Sequence, residues 1–456
     1  MYNQLDIDST IVAPATASGG AVMVIRLSGK DAIAIADKMF YGRKPLHEAE
    51  GYTLHYGTIR DGERTIDDVV VALFRAPHSY TGDDTVEITA HGSQYITSEL
   101  LRMAIEHGAR MATAGEFTRR AFLAGKMDLS RAEAVADIIA SDSRWSHRIA
   151  TTQMRGGYSE QLASLREKLL HLCSLLELEL DFSEEDVEFA DRKQLRQLLE
   201  QTLAKVESLA QSFALGNALK EGVQVAIVGR PNVGKSTLLN RLAGEDRAMV
   251  SDIAGTTRDT VEVCINIDGV MFRLIDTAGL HSTSDRLEQM GIERTAEALR
   301  KARIVLWLTD NESSCIDDDL VGYTPTTEQH VYRIITKIDL SPATSDKPTT
   351  SPYPTIRLSA LTGEGVDKLR GALHSSADAT GAYNGDVIVS NHRHYEALRK
   401  AQEALAAALT ALHNDIPTDL MSEEIRLTIH HIGTITGEIT SDDILKNIFS
   451  HFCVGK

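Results

Sequence analysis

Apolar and polar positions divide the first part of the chain into short strands and one early helix. Residues 21–29 (AVMVIRLSG) and 67–74 (DDVVVALF) are apolar runs of strand length, which indicate buried β-strands. Residues 92–109 repeat apolar positions at the spacing of a helix that follows a strand. We therefore predict an N-terminal α+β domain over residues 1–120.

Helical spacing takes over after about Thr118 and lasts to about Leu215, which predicts the first part of a helical domain over residues 121–216. Within it, residues 181–192 (DFSEEDVEFADR) carry six acids in twelve positions and are interpreted as a solvated loop. The helical pattern returns in residues 394–412 and continues towards the C-terminus. Residues 379–456 are therefore predicted to be the second part of the same helical domain.

Between the two helical parts, five apolar segments alternate with helical stretches. This alternation predicts parallel strands with crossover helices, that is, a doubly wound, mostly parallel sheet. The chain is thus predicted to be multidomain, α/β plus all-α, with an α/β domain at residues 217–378 inserted into the helical domain. The five predicted strands are VQVAIVG (223–229), FRLID (272–276), IVLWLTD (304–310), RIITKID (333–339) and TIRLSA (355–360).

Composition narrows the class of protein. The chain has 456 residues and a net charge of −18, which argues against a general nucleic-acid coat because such a surface would be basic. The sequence contains no stretch of about 20 apolar residues, so no membrane span is predicted. The N-terminus lacks the pattern of a signal peptide. The four cysteines are scattered without a CxxC pair, so we expect a reducing cytoplasmic location. They are Cys173, Cys264, Cys315 and Cys453.

The segment GRPNVGKS has the spacing of a phosphate-binding loop, Gly229-x-x-x-x-Gly234-Lys235-Ser236. It follows a predicted strand and precedes a predicted helix, which is the context that this motif requires. Backbone N–H groups and the helix N-terminus can then converge on anionic oxygens. Lys235 is expected to meet the β and γ phosphates, and Ser236 a magnesium ion.

The order of the segments that follow points to guanine. Thr256 and Thr257 can complete the magnesium shell, and Asp276 ends a strand where it can hold the ion through water. Asp339 can accept two hydrogen bonds from the guanine edge, with Lys337 across the base plane. The predicted GTP site comprises Asn232, Val233, Gly234, Lys235, Ser236, Thr237, Ser251, Thr256, Thr257, Asp276, Thr277, Ala278, Gly279, Thr336, Lys337, Asp339, Ser359, Ala360 and Leu361, with Mg²⁺ on Ser236 and Thr257.

Two positions depart from the usual GTPase pattern. Thr336 stands where most GTPases have asparagine before Lys-x-Asp, so guanine affinity is expected to be weaker while Asp339 preserves specificity. Leu280 stands where many carry a water-orienting glutamine. Leucine can neither orient the attacking water nor neutralise the charge on the transferring phosphate. An arginine finger that neutralises this charge typically accelerates hydrolysis by about 10³–10⁵. Either another group performs these functions, or the protein is a slow switch.

Four segments outside the nucleotide-binding motifs carry sequence that generic GTPases do not share. They are residues 10–29, 79–92, 115–139 and 435–456, and the last ends in FCVGK (452–456). In these segments the chain resembles the MnmE (TrmE) family of tRNA-modification GTPases, along nearly its whole length. The most specific segment is FCVGK, which is similar to the family's Cys-x-Gly-Lys ending.

The resemblance implies which group supplies the positive charge that Leu280 cannot. In this family a potassium ion takes the place of an arginine finger, and the carried-over ligands are Asn232, Ser251, Ile253 and Thr256. Two G domains then face each other in a homodimer. The predicted catalytic residues are Lys235 and Glu288. Glu288 occupies the position of the acid that positions the attacking water in the family. Without the resemblance, Glu288 is simply an exposed glutamate near a helix start.

The resemblance also implies that the N-terminal module dimerises and binds a tetrahydrofolate derivative, in the 5,10-methylene or 5-formyl form. The carried-over contacts are Arg26, Glu87, Lys126 and Lys456. Structural alternatives stay open, because Arg26 can pair with a neighbouring acid and Lys126 can be a surface lysine. Cys453 is a possible reactive thiol, a structural cysteine, or a thiol that lies near the folate.

As a family member, the chain is expected to act on carbon 5 of the wobble uridine of certain tRNAs, with GTP hydrolysis regulating the joint active site. The implied partner is the flavoprotein MnmG (GidA), which supplies FAD and NADH, and the amine comes from glycine or ammonium. One alternative is a folate-dependent one-carbon enzyme with an accessory G domain. The other is a GTPase switch in ribosome assembly, but no basic RNA-reading module follows the G domain.

Overall fold

The computed structural model describes most of the chain and divides it into two compact units. The first comprises Met1–Ile139, Gln153–Leu195 and Ala411–Lys456, and the second Ala140–Thr152 and Arg196–Thr410. The described residues are 8–17, 19–181, 192–245, 262–276, 297–310, 323–326, 329–340, 351–378, 387–414 and 416–455.

Thirteen strands and twelve α-helices are bounded within the described residues. The strands are β1 (Ile11–Pro14), β2 (Val22–Ser28), β3 (Phe40–Gly42), β4 (Thr53–Asp61), β5 (Arg64–Phe74), β6 (Thr85–His91), β7 (Arg110–Met111), β8 (Val223–Gly229), β9 (Glu262–Ile267), β10 (Val270–Asp276), β11 (Ile304–Thr309), β12 (His330–Ile335) and β13 (Thr355–Arg357). The helices are α1 (Ala32–Met39), α2 (Gln94–Glu106), α3 (Glu116–Leu123), α4 (Leu129–Ile139), α5 (Arg144–Met154), α6 (Ser159–Asp181), α7 (Arg192–Glu221), α8 (Lys235–Glu245), α9 (Val366–Asp378), α10 (His392–His413), α11 (Thr418–Thr436) and α12 (Asp442–Ser450).

The first unit contains a seven-stranded sheet in the order β3-β4-β5-β6-β2-β1-β7. Neighbouring strands are antiparallel except for β1 and β7, which are parallel. Because side chains alternate along a strand, one face can be buried while the other stays accessible. Val69, Val71 and Leu73 of β5 lie on the buried face, in one core with residues of α1 and α2. The predicted strands and the helix within residues 92–109 are confirmed.

The helical stretch predicted after Thr118 is interrupted between α3 and α4. Gly125 has φ +67°, a left-handed conformation that ends α3. Asp128 then begins α4, because its carboxylate accepts from the Arg131 N–H at 2.8 Å and from the Ser130 hydroxyl at 2.7 Å. A glycine and a capping aspartate therefore divide what apolar spacing alone presents as one helix.

The second unit contains a six-stranded sheet in the order β13-β12-β11-β8-β10-β9. All its pairs are parallel except β10 with β9. Every residue of β11 is buried, as expected for a central strand with both faces covered. The predicted fold class is confirmed.

Three strands of this sheet end earlier than predicted, β11 by a single residue, and one strand was not predicted. β12 ends at Ile335 because Lys337, two residues later, takes φ +57° and turns the chain. β13 is confined to Thr355–Arg357. The unpredicted strand, β9, is an antiparallel edge strand whose mixed burial makes its apolar pattern weak.

The chain segments that enter and leave this sheet both contact α7. Gly222 alone separates α7 from β8. Further along, the Val389 N–H donates to the Ser212 hydroxyl at 3.0 Å. A Cβ added to Gly216 would lie 2.1 Å from the Val389 carbonyl oxygen, so the approach requires glycine. The packing fits an α/β domain inserted into a helical one, although the four predicted domain boundaries themselves stay a prediction.

Candidate functional site

The loop between β8 and α8 has the backbone of a phosphate cradle. Gly229 has φ +146° and Gly234 has φ +106°, conformations that glycine adopts without strain. A Cβ on Gly229 would lie 2.3 Å from the Leu308 carbonyl oxygen, so this position requires glycine for space as well. Asn232 also takes a left-handed φ, +62°, which asparagine tolerates better than most residues. The glycine spacing read from the sequence therefore has a direct geometric reason.

Lys235 is held inside this loop. Its ammonium group donates to the Gly229 carbonyl at 2.5 Å and to the Arg230 carbonyl at 2.8 Å, and the residue is 5% exposed. Ser236 and Thr237, in the first turn of α8, are exposed. The loop thus combines a held cation, exposed hydroxyl groups and a helix N-terminus, which together suit an anionic phosphate chain.

Thr336 ties the loop after β12 to the phosphate loop. Its hydroxyl donates to the Val233 carbonyl at 2.7 Å and also lies 3.3 Å from the Thr309 carbonyl. Its backbone N–H donates to the same Thr309 carbonyl at 2.8 Å. Both Thr336 and Val233 are buried. Although threonine replaces the usual asparagine, it still connects the two loops.

The residues predicted to read the base follow β12. Lys337 places its ammonium group 3.3 Å from the Asp310 carboxylate, which follows β11. Asp339 is exposed, and the Leu340 N–H closes the turn onto the Lys337 carbonyl at 3.0 Å. Asp310 is a neighbour of the site that the sequence did not predict, because its pairing with Lys337 depends on the adjacency of two parallel strands.

The loop after β13 is built around Ser359, which is fully buried. Its backbone N–H donates to the Glu364 carbonyl at 2.9 Å, and its hydroxyl accepts from the Thr362 N–H at 3.2 Å. Ala360 is half-buried and Leu361 is exposed. Because β8, β10, β11, β12 and β13 are parallel, all these loops and Asp276 at the end of β10 lie at one edge of the sheet.

Part of the predicted nucleotide site lies outside the described residues, and those assignments stay predictions. For Asp276 the structure describes only the main chain, at the end of β10. The predicted residues outside the described ranges are Ser251, Ile253, Thr256, Thr257, Thr277, Ala278, Gly279 and Glu288, as is Leu280.

A second polar site lies on the antiparallel sheet of the first unit. Arg26 of β2 and Glu87 of β6 are register partners, and the Arg26 Nε donates to the Glu87 Oε1 at 2.8 Å. The two side chains are 14% and 26% exposed. The structure thus brings together two of the residues that the resemblance assigns to folate, and they form the ion pair that was the structural alternative for Arg26.

Aromatic rings and the C-terminal residues complete the surroundings of Arg26. Its guanidinium carbon lies 5.7 Å from the Tyr80 ring centroid and 5.6 Å from that of Phe117. Its Nη1 donates to the Gly455 carbonyl at 3.2 Å. Burial raises the pKa of Tyr80, whose hydroxyl pairs with that of Thr118 at 2.9 Å. Tyr80, Phe117 and Gly455 were not predicted, since 54 or more positions separate each from Arg26 in the sequence.

The remaining predicted folate and thiol residues are placed as follows. Lys126 donates to the Pro77 carbonyl, on the loop that supplies Tyr80. Lys456 lies outside the described residues. Cys453 is an exposed free cysteine, whereas Cys173 is buried. The pKa of Cys173 is raised, mainly because the thiol is buried and to a smaller extent because the Glu177 carboxylate lies nearby. The structure therefore leaves the Cys453 thiol accessible to reagents.

None of the described helices is long and apolar enough to cross a membrane.

Comparisons with known proteins match nearly the whole chain. The family model for the GTP-binding protein TrmE N-terminus matches residues 10–126, and that for the MnmE helical domain matches residues 129–453. The tRNA modification GTPase MnmE of Bacteroides fragilis is 49% identical over 98% of this chain and 99% of its own length. That of Christiangramia forsetii is 45% identical over 99% and 100%. The G domain of the T. maritima FeoB iron transporter is 25% identical over 34% of this chain and 99% of its own, with a TM-score of 0.26. On the identity and coverage of its full-length relatives, the chain belongs to the MnmE (TrmE) family of tRNA modification GTPases.

Proposed function

We propose that this protein is a potassium-dependent GTPase that modifies carbon 5 of the wobble uridine of certain tRNAs together with a flavoprotein partner. A single observation carries the GTPase part. The phosphate loop and the base-reading loop are joined by the Thr336–Val233 hydrogen bond, at the sheet edge where the Ser359 loop also lies. A phosphate cradle and a base-reading turn connected in this way suit a guanine nucleotide.

The described residues fit GTP and magnesium. The positive φ angles at Gly229 and Gly234 form a cradle in which backbone N–H groups can meet phosphate oxygens. Ser236, an exposed residue, and the predicted ligand Thr257 would give the hard oxygen donors that Mg²⁺ prefers. When bound, the magnesium ion would neutralise charge on the phosphates. Lys235 would exchange its two carbonyl partners for phosphate oxygens.

Potassium is proposed to supply the charge that Leu280 does not. Asn232 is exposed and takes a left-handed φ within the phosphate loop, and an asparagine amide oxygen can coordinate a cation. Ser251, Ile253 and Thr256 would complete the potassium site, and Glu288 would position the attacking water. To complete this site, the two G domains of a homodimer would face each other.

The experiment that tests this compares GTP turnover in potassium chloride and sodium chloride at equal ionic strength, with GTP binding measured in both salts. Because the ion replaces a charge worth about 10³–10⁵ in rate, turnover should be more than about tenfold faster in potassium at unchanged affinity. In the same assay, Glu288→Ala should slow turnover and leave GTP binding intact. Equal rates in the two salts would refute the potassium site, and undiminished turnover of Glu288→Ala would remove that residue from catalysis.

The modification chemistry is proposed to use the first unit. The Arg26–Glu87 pair can contribute both a carboxylate for the amide-like edge of a pterin and a cation for an anionic folate tail. Lys126 and Lys456 would add positive charge for the same tail. Methylenetetrahydrofolate would give the one-carbon unit and glycine or ammonium the amine. The flavoprotein MnmG (GidA) would supply FAD and NADH.

A further inference from the structure

We propose that the C-terminal tail, residues 452–455, positions the Arg26 guanidinium for its ligand, so that docking of the tail and binding of folate are thermodynamically coupled. The inference rests on the folate site proposed above and adds to that site an element that positions one of its residues. Its basis is the hydrogen bond from the Arg26 Nη1 to the Gly455 carbonyl, between residues 429 positions apart.

The tail is fixed at its start by apolar packing. Phe452 is 8% exposed and belongs to a cluster with Leu129, Leu445 and Phe449. Its ring centroid lies 5.2 Å from that of Phe449. The residues that follow are not fixed by their side chains, because Cys453 and Val454 are both exposed. Their position must come from the main chain.

Main-chain contacts hold the next two residues against the segment that precedes α3. Val454 forms an antiparallel bridge with Ala114, and the Gly115 N–H donates to the Cys453 carbonyl at 3.4 Å. Gly115 itself has φ +65°, and a Cβ there would lie 2.8 Å from the Phe449 carbonyl oxygen of α12 and 3.0 Å from the Phe452 Cβ of the tail. The tail and the start of α3 are thus packed too closely for a side chain at this position, and α3 carries Phe117, one of the rings beside Arg26.

Gly455 brings the tail onto the sheet. It is buried at φ +98°, and a Cβ there would lie 2.0 Å from the Pro14 carbonyl oxygen at the end of β1. β1 pairs with β2, the strand that carries Arg26. Because of this close approach, the Gly455 carbonyl reaches Arg26, and any side chain at this position would have to displace the tail.

The Gly455 carbonyl fixes a guanidinium that is otherwise held on one side. The Glu87 Oε1 lies 2.8 Å from both the Nε and the Nη2 of Arg26, and the Tyr80 and Phe117 rings lie beside the group. The Gly455 carbonyl holds Nη1, on the opposite edge, and so gives the guanidinium a second in-plane anchor. A guanidinium has five N–H donors, so Arg26 can hold both partners and still donate to a ligand. By reciprocity, a ligand that binds the oriented Arg26 must also stabilise tail docking.

The test measures 5-formyltetrahydrofolate binding to the full-length protein by calorimetry. Gly455→Ala should bind about tenfold more weakly, because one hydrogen bond to a charged group is lost. The matched control Val454→Ala changes an exposed side chain of the same tail and should bind as the wild type does. Melting temperatures verify that both variants fold. In the wild type, ligand should slow amide hydrogen exchange in peptides that contain residues 112–116 and 452–456, and Gly455→Ala should lose this protection.

A double-mutant cycle distinguishes positioning of Arg26 from two other effects that Gly455→Ala could have, a general structural change and a displacement of Lys456. If the tail acts through Arg26, Gly455→Ala should cost little further affinity in an Arg26→Lys background. Equal losses in both backgrounds would overturn the inference, as would wild-type affinity of Gly455→Ala or unchanged tail exchange on ligand addition. In those cases the folate site would stand. A wild-type protein that binds no 5-formyltetrahydrofolate would instead refute the folate site, and this inference with it.

Discussion

At the scale of single residues, Thr336 carries the connection between two loops of the nucleotide site. Its hydroxyl donates to the Val233 carbonyl at 2.7 Å, and both residues are buried. Removing a partner from a buried hydrogen bond leaves the other group unsatisfied, which costs about 1–3 kcal/mol. The sequence alone marks Thr336 as a departure from asparagine and predicts weaker guanine binding. The structure adds that its hydroxyl has a defined partner.

We predict that Thr336→Val weakens GDP binding by about tenfold, because the phosphate loop loses its connection to the base-reading loop. Thr336→Ser keeps the hydroxyl and is the matched control, expected to bind nearly as the wild type does. Titration with a fluorescent GDP analogue measures both affinities. Equal affinities of the valine and serine variants would show that the connection does not contribute to nucleotide binding.

At the scale of elements, helix α3 begins with a buried carboxylate. Glu116 is 3% exposed and accepts from the Arg110 guanidinium at 2.6 and 2.9 Å and from the Thr113 N–H at 2.9 Å. Arg120, one turn later, lies 3.2 Å away. Burial by itself raises the pKa of Glu116, but the hydrogen bonds from Arg110 and Thr113 outweigh it and hold the pKa below its usual value of 4.5.

We predict that Glu116→Gln lowers the free energy of unfolding by roughly 3 kcal/mol at neutral pH, because two guanidinium groups lose a buried counter-charge. Since the folded-state pKa is lowered, the stabilisation by Glu116 is present above the ordinary pKa and is lost as the pH falls through the lowered value. The difference from wild type should therefore shrink below about pH 4. Urea titrations across this pH range measure it.

The matched control for that prediction is Glu160→Gln. Glu160 also pairs with an arginine, Arg131, but its side chain is 69% exposed. An exposed ion pair contributes about 0–1 kcal/mol, so this variant should unfold almost as the wild type does. If Glu116→Gln is as mild as the control, the buried cluster at the start of α3 does not stabilise the fold.

At the scale of the whole molecule, the net charge of −18 bears on how the protein meets tRNA. An acidic protein does not gain affinity for a polyanion from its overall charge, because the long-range field repels phosphate. We therefore propose a division of labour in which the flavoprotein partner carries most of the tRNA-binding charge. A folate-dependent one-carbon enzyme with an accessory G domain would need no such partner.

We predict that a deletion strain lacks the wobble-uridine side chains that its parent carries, as measured by mass spectrometry of tRNA nucleosides. The wild-type gene should restore them. The Lys235→Ala variant should fail to restore them at equal expression, because the buried ammonium group of the phosphate loop is lost. An unchanged nucleoside profile in the deletion strain would refute the assignment to tRNA modification.

The features that the sequence alone establishes are those that depend on neighbours along the chain. Apolar periodicity located five of the six strands of the second unit's sheet, and the glycine spacing of the phosphate loop specified its position between β8 and α8. Local signals were weaker where periodicity was ambiguous. The edge strand β9 and the break at Gly125 were therefore not predicted.

Tertiary structure alone decided which distant groups meet. Arg26 binds Glu87 61 positions away and Gly455 429 positions away, and Thr336 binds Val233 103 positions away. Such pairs depend on strand register and on loops meeting at one sheet edge, and no local pattern encodes either. The sequence thus determined the type of site and the order of its parts. Only the fold decided that Glu87 and the C-terminal tail together hold Arg26, and that a threonine hydroxyl joins the phosphate loop to the base-reading turn.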